Sequence, residues 1–199
     1  MATLALAAPG HSARPAVVGP NAVIQLAAAL RAAAGEGATL DVFSVANAVH
    51  VLDEPPGEMV DEAIPRRLFA ATLSLLPGDE AAAILRDAGT RTADYLLANR
   101  IPRPVQALLK VMPDPLAARL LLAAIGKNAW TFAGSGTCTT SHPGRAVIEI
   151  KDNPLATPHC SWHAGVFARL FGALVHARPA IRHPSCCAAG DPVCRFEIA

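Results

Sequence analysis

Large aromatic side chains are scarce in this sequence: Phe, Trp and Tyr together make up 5%, and there is one Tyr. Hydrophobic residues still reach 52%, so Ala, Leu and Val must supply most of the apolar surface. An interior of that kind either packs closely from small side chains or keeps apolar space for a guest. Charge is sparse as well, at 17% with a formal net charge of +1, which excludes the basic footprint of a nucleic-acid binder. No apolar run reaches the ~18 residues of a membrane-spanning helix. The longest candidate, PLAARLLLAAIGKNAW, is interrupted by Arg119 and Lys127. The opening MATLALAAPGHSARPAVVG has no basic segment ahead of its short apolar stretch, so it reads as a disordered tail over 1–17 and not as a signal peptide. A soluble cytoplasmic protein is expected. No G-x-G-x-x-G follows a strand pattern, which leaves a dinucleotide site without support. Ser135 and Ser161 lack a nucleophile context, so hydrolase chemistry has none either.

The 199 residues suit a single domain, expected over 18–199, and no internal repeat is visible. GPNAVIQLAAALRAAAGEG reads as a helix that starts near Pro20 and ends at Gly35. ATLDVFSVANAVHVLD has mostly three-and-four spacing and is read as helix. A further helix is expected from about Asp61 to Leu76, with Pro65 in its first turn. In DEAAAILRDAGTRTADYLLAN, Asp79 is placed as a cap, and Ala83, Ile84, Ala88, Arg91, Tyr95 and Leu96 fall near one face. Pro113 and Pro115 split the next stretch into two shorter helices.

After Gly126 the pattern changes. NAWTFAG, RAVIEIKD, ALVHARPAIRH and PVCRFEI are short, richer in β-branched and aromatic residues, and separated by turn residues. One helix interrupts them near 160–174, with Trp162, Val166, Leu170 and Leu174 on one stripe. The expected fold is α+β: a helical half over 18–126, then an antiparallel sheet of four to five strands with one inserted helix. The acidic cluster Glu58, Asp61 and Glu62 sits where charge favours a helix N-terminus, so no acid–base chemistry is read from it.

Five cysteines is an odd number in a chain with no export signal, which argues against disulfides and leaves metal binding or plain burial. Cys186 and Cys194 flank a Gly-Asp-Pro turn that brings its two ends together. His183 lies three residues before Cys186, and Cys160 opens the inserted helix. Cys160, His183, Cys186 and Cys194 make a Cys₃His set of the kind that holds structural zinc. Cys187 would point the other way in an extended segment. Small buried cysteines also simply fill cores, and the spacing alone leaves both readings open. An iron–sulfur cluster would need Cys138 or Cys187 as a fourth thiolate, at no recognised spacing.

The same tail, His183, Cys186, GDP and CRF, resembles the end of the vinyl-4-reductase domain family. Where this chain has His183 the family carries an acidic residue. In the related sensor domains of phenol-responsive activators those positions and an upstream cysteine hold zinc, and Cys160 stands in the matching upstream place. With three thiolates and a neutral His the zinc site would carry one net negative charge. GPNAVIQLAAAL, PPGEMVDE, RIPRPVQALLKVMP and GKNAWTFAGSG are similar to members of that family from bacteriochlorophyll biosynthesis, which carry the label 4-vinyl reductase. The likeness runs from about Val18 to the end, with the vinyl-4-reductase-like part over about 100–199.

The resemblance implies a ligand-binding fold of the NO-signalling and Golgi-transport type, holding an apolar guest between helices and sheet. The guest would be a tetrapyrrole, a porphyrin or chlorophyllide intermediate, presented to pathway enzymes such as the magnesium chelatase large subunit and the Mg-protoporphyrin methyltransferase. The alternatives are a vinyl reductase served by an external electron donor and a small-molecule sensor. A flat macrocycle wants aromatic walls and cations for its propionates. Tyr95, Trp130, Phe132, Trp162 and Phe167 are the aromatic candidates, and Arg91 is the basic one, with Arg100, Arg103 and Lys110 nearby. His163 is the first axial ligand to test for a bound magnesium, against the plainer role of a helix histidine in the core. The resemblance also implies a homodimer through the N-terminal helix and a place at the periphery of the photosynthetic membrane.

Overall fold

Glycine and proline punctuate the helical half. In the computed structural model, which describes residues 16–199, α1 runs over Asn21–Val45 and is kinked at Gly35, whose φ of 85° and ψ of 176° are open to glycine. The expected end at Gly35 is therefore a bend. The Thr39 hydroxyl donates to the Gly35 carbonyl at 2.8 Å, and the helix resumes. The second arm carries the buried Phe43, and Asn47, at φ 52°, turns the chain into the short α2, His50–Asp53. Of the tail expected over 1–17, residues 1–15 lie outside the described residues. Val17 belongs to a strand, β1 (Val17–Val18), paired with β2 (Val60–Asp61) in a small ribbon that the sequence pattern did not disclose.

Helix α3 spans Ala63–Leu75. The Asp61 carboxylate accepts from the Ala63 N–H at 2.7 Å, a capping role of the kind expected of the acidic cluster. Glu62 does something else. Its carboxylate accepts from the Ser135 N–H and the Ser135 hydroxyl, both at 2.7 Å, fastening a loop 73 residues away. Glu62→Ala should destabilise the protein by about 1 kcal/mol, since charge-assisted bonds at an exposed site retain only part of their strength. A drop of about 2–4 °C in thermal melting would register it.

Helix α4, Gly78–Asn99, starts behind Pro77, and Asp79 sits in its first turn without a side-chain cap bond. Its buried face is Ile84, Leu85, Ala88, Gly89, Thr92 and Ala93, so the face expected through Arg91 and Tyr95 lies one residue out of phase. The smallest residues decide the phase. Gly89 of α4 and Gly165 of α7 (Ser161–Leu174) lie against each other's backbone: a Cβ on Gly89 would overlap the Trp162 carbonyl, and one on Gly165 the Arg86 carbonyl. Between α4 and α7 in the chain, α5 (Arg103–Val111) and α6 (Asp114–Lys127) are parted at Pro113 as expected.

The four strands β3 (Thr137–Ser141), β4 (Ala146–Lys151), β5 (Ile181–Ser185) and β6 (Val193–Ile198) form one antiparallel sheet in the order β3-β4-β6-β5. Two expected strands are corrected. NAWTFAG is a 3₁₀ turn, Ala129–Thr131, and the strand begins at Thr137, in a polar stretch with no apolar alternation. ALVHARPAIRH contributes only Ile181–Ser185, because α7 takes its first residues. Period-two alternation places Ile148, Ile150, Cys194, Phe196 and Ile198 on the buried face. Glu149, Arg195 and Glu197 face outward, where Arg195 meets Glu149 at 2.6 Å and Glu197 at 3.0 Å. Helix α7 lies between the sheet and α4, with ten of its 14 residues buried.

Candidate ligand cavity and metal centre

Helices α1, α4, α6 and α7 enclose a cavity of about 460 Å³. From α4 it takes Thr92 and Leu96, one turn apart, and then Arg100 and Ile101 beyond the helix end. Helix α6 contributes Leu121, Ala124 and Ile125, and α7 contributes Trp162, Val166, Phe167 and Leu170. Trp130, Thr131 and Phe132 close one side, and Pro20 and Asn21 another. The wall is mostly apolar, which suits a hydrophobic guest. Trp130 is 57% exposed, so the cavity opens to solvent beside it. Arg100 forms no ion pair among the described residues. The Trp162 indole N–H is buried without a hydrogen-bond partner among the described residues.

Of the residues singled out from sequence, Trp130, Phe132, Trp162 and Phe167 line the cavity, whereas Tyr95, Arg91 and His163 do not. Arg91 and Tyr95 precede Thr92 and Leu96 by one position, about 100° around the helix, and so turn away. Arg91 instead pairs with Asp87 at 2.6 Å. His163 is 1% exposed and packs among Trp162, Phe167 and Phe196, with Nε2 3.4 Å from the Phe132 carbonyl oxygen. Burial lowers its pKa to about 4, so it is neutral at neutral pH. Its Nδ1 has no partner among the described residues. Sequence pattern overlooked Thr92, Leu96, Met59 and the α6 residues. The signal that could have placed them was the run of small residues Ala88, Gly89 and Ala93, which marks where α4 crosses a neighbour.

Below the cavity, at the N-terminus of α7, Cys160, His183, Cys186 and Cys194 converge, their ligand atoms all within 4.8 Å of one another. Four different segments supply them. Cys160 is held by a sharp turn in which it and His159 both adopt left-handed conformations, φ 44° and 62°. His183 lies on β5 and stacks on Phe196 with ring centroids 4.6 Å apart. Cys186 follows β5, and its N–H donates to Asp191 of the Gly-Asp-Pro turn at 2.7 Å. Cys194 is on the inward face of β6.

Cys160 Sγ lies 3.5 Å from Cys194 Sγ and 3.7 Å from Cys186 Sγ. Sulfurs bound at ~2.3 Å around a tetrahedral ion stand roughly 3.8 Å apart, so the donor set fits zinc. Sulfur acceptors also receive outer support. Asn153 Nδ2 donates to Cys194 Sγ at 3.4 Å and the Cys187 N–H at 3.3 Å. The Cys160 thiol is the main cause holding Cys194 below the usual thiol range, and the same bond holds Cys160 above it. One easily ionised sulfur among protonated neighbours is a starting point for metal capture. Cys187 directs its Sγ elsewhere, 3.8 Å from the Ile150 carbonyl oxygen.

The vinyl-4-reductase domain family matches residues 147–199, which takes in β4, α7, β5 and β6 and every member of the Cys/His cluster. The bacteriochlorophyll synthase 23 kDa chain of Cereibacter sphaeroides is 42% identical over 187 residues, covering 91% of this chain and 89% of that one. Its counterpart from Rhodobacter capsulatus is 37% identical over 186 residues, covering 91% and 86%. An H-NOX protein from S. oneidensis, solved in its Fe(II)NO ligation state, shares the fold with a TM-score of 0.56 at 10% identity, covering 92% of this chain and 98% of that one.

Proposed function

Because the chain belongs to the bacteriochlorophyll synthase 23 kDa chain family and takes part in bacteriochlorophyll biosynthesis, we propose that it binds a tetrapyrrole intermediate of that pathway and presents it to pathway enzymes. The observation that carries this reading is the apolar cavity open at Trp130 and rimmed by Arg100. Leu121, Val166 and Leu170 offer faces for part of a flat macrocycle, and Arg100 supplies the cation for a propionate at the mouth. The indole N–H of Trp162 is a donor that a guest's carbonyl would satisfy. His163 faces the sheet, so a magnesium in the guest takes no axial imidazole from it. The Cys₃His cluster holds structural zinc, which ties α7, one wall of the cavity, to β5 and β6. The magnesium chelatase large subunit and the Mg-protoporphyrin methyltransferase are the pathway enzymes to which the guest would be presented.

Purified protein mixed with divinyl protochlorophyllide should shift the pigment's absorption and leave its vinyl groups intact when a nicotinamide donor is added. Steady conversion to the monovinyl pigment by the protein alone would make it a reductase and end the carrier reading. Arg100→Glu should weaken pigment binding about tenfold, or ~1.4 kcal/mol, read by fluorescence titration. Arg91→Glu, off the cavity, should leave it within about twofold, a difference of less than ~0.5 kcal/mol.

A further inference from the structure

The α5–α6 hairpin presents more apolar surface than its packing uses. Leu109 is the one buried residue of α5, while Val105, Leu108 and Val111 are 44%, 55% and 80% exposed. Helical spacing sorts α5 into stripes: Val105 and Leu109 turn toward the protein, Pro104, Leu108 and Val111 form a solvent-facing apolar ridge, and Arg103, Ala107 and Lys110 flank that ridge. On α6, Leu116 and Leu120 lie one turn apart, each 46% exposed, turned away from the buried Leu121 and Ile125.

Charge is equally uneven. Residues 100–127 hold Arg100, Arg103, Lys110, Arg119 and Lys127 against a single carboxylate, Asp114. The whole chain holds 17 Lys and Arg against 16 Asp and Glu, so the remainder is net acidic. None of the five cations forms an ion pair among the described residues, and Asp114 itself faces His176 at 3.3 Å. An exposed apolar ridge bordered by unpaired cations is the pattern of an element that lies in a lipid interface, its ridge among the acyl chains and its cations at anionic headgroups.

We propose that the α5–α6 hairpin docks the protein on an anionic membrane surface. The same segment supplies Arg100, Ile101, Leu121, Ala124 and Ile125 to the cavity, so docking turns the cavity mouth toward lipid and gives an apolar guest a path that avoids water. Only that last step rests on the carrier reading. Docking itself is measured without pigment, so the two can fail separately.

Flotation with vesicles of equal parts phosphatidylcholine and phosphatidylglycerol tests it. The protein should float with these vesicles, and binding should fall tenfold or more on pure phosphatidylcholine. Arg103→Gln and Lys110→Gln should each lower the partition constant about fivefold. Leu108→Glu and Val111→Glu should abolish flotation while leaving the melting temperature unchanged. Leu40→Glu, on a residue 48% exposed in the second arm of α1, should leave flotation intact. Vesicles of brominated lipid should quench the exposed Trp130, and that quenching should vanish in Trp130→Phe, since Trp162 is 3% exposed. Absence of flotation, or full flotation of folded Val111→Glu, overturns the proposal. So does a vesicle-free dimer that Val111→Glu dissociates, because the ridge would then belong to a second copy of the chain.

Discussion

Replacing Cys194 with Ser is expected to strip the protein of zinc and lower its melting temperature by about 10 °C, on the order of 3 kcal/mol or more. Cys194 is fully buried on β6, 3.5 Å from Cys160 Sγ, and it accepts from both Asn153 and the Cys187 N–H. A Ser oxygen there is harder, smaller and protonated at neutral pH, and would leave those donors poorly matched. The loss is large because Cys160 and Cys194 are separated by 34 positions and the unfolded chain has no ready-made site, so metal affinity becomes folding free energy. Cys187→Ser serves as the control. Its Sγ approaches the Ile150 carbonyl and not the cluster, so zinc content should stay at one per chain. Elemental analysis of protein purified without added metal decides the matter: no zinc, with the thiols of Cys160, Cys186 and Cys194 freely titratable in the native state, would mean that these residues are not ligands.

Gly89→Ala is the second large effect, and its sign opposes helix propensity. Alanine in mid-helix normally gains ~1 kcal/mol over glycine. At Gly89 the new methyl would overlap the Trp162 carbonyl and stand 3.0 Å from the Val166 nitrogen. Both obstacles are backbone, so α4 and α7 must part along their crossing, and the expected net cost is about 3 kcal/mol, the upper range of overpacking. Gly37→Ala is the contrast, because nothing lies within 4 Å of the added methyl, and it should be neutral or slightly stabilising. Thermal melting of the two variants separates the effects. If Gly89→Ala melted like the parent protein, the close crossing of α4 and α7 would be wrong.

Sequence reading succeeded where a residue's backbone demand is strong. Pro113 parts α5 from α6, and α7 falls at Ser161–Leu174, where the apolar spacing put it. The Cys/His cluster was open between metal and burial by spacing alone, and the family likeness singled out zinc. The geometry now gathers Cys160, His183, Cys186 and Cys194 at one point. Strand β3 was hidden because TCTTS has no apolar alternation: as an edge strand beside β4 it buries little. Gly35 was read as an end because glycine signals a break, and only Thr39 shows that the helix restarts. The phase of α4 was misjudged because Arg91 and Tyr95 looked more informative than Gly89. At a close crossing, the absent side chain carries the information.

Strand β6 sits between β4 and β5 although it follows both in the chain. During synthesis, therefore, β5 has no neighbour to pair with until β6 emerges, and β4 keeps one open edge. Two of the sheet's three ladders wait for the six residues Val193–Ile198. Helix α7 can meet α4 earlier, but the face that receives Phe167 forms only when Phe196 arrives. Pairing of this kind closes long loops late and is slow. A nascent chain paused before Val193 would display two unpaired strand edges and an incomplete set of thiols, which makes that interval the protein's point of greatest exposure to aggregation and to oxidants.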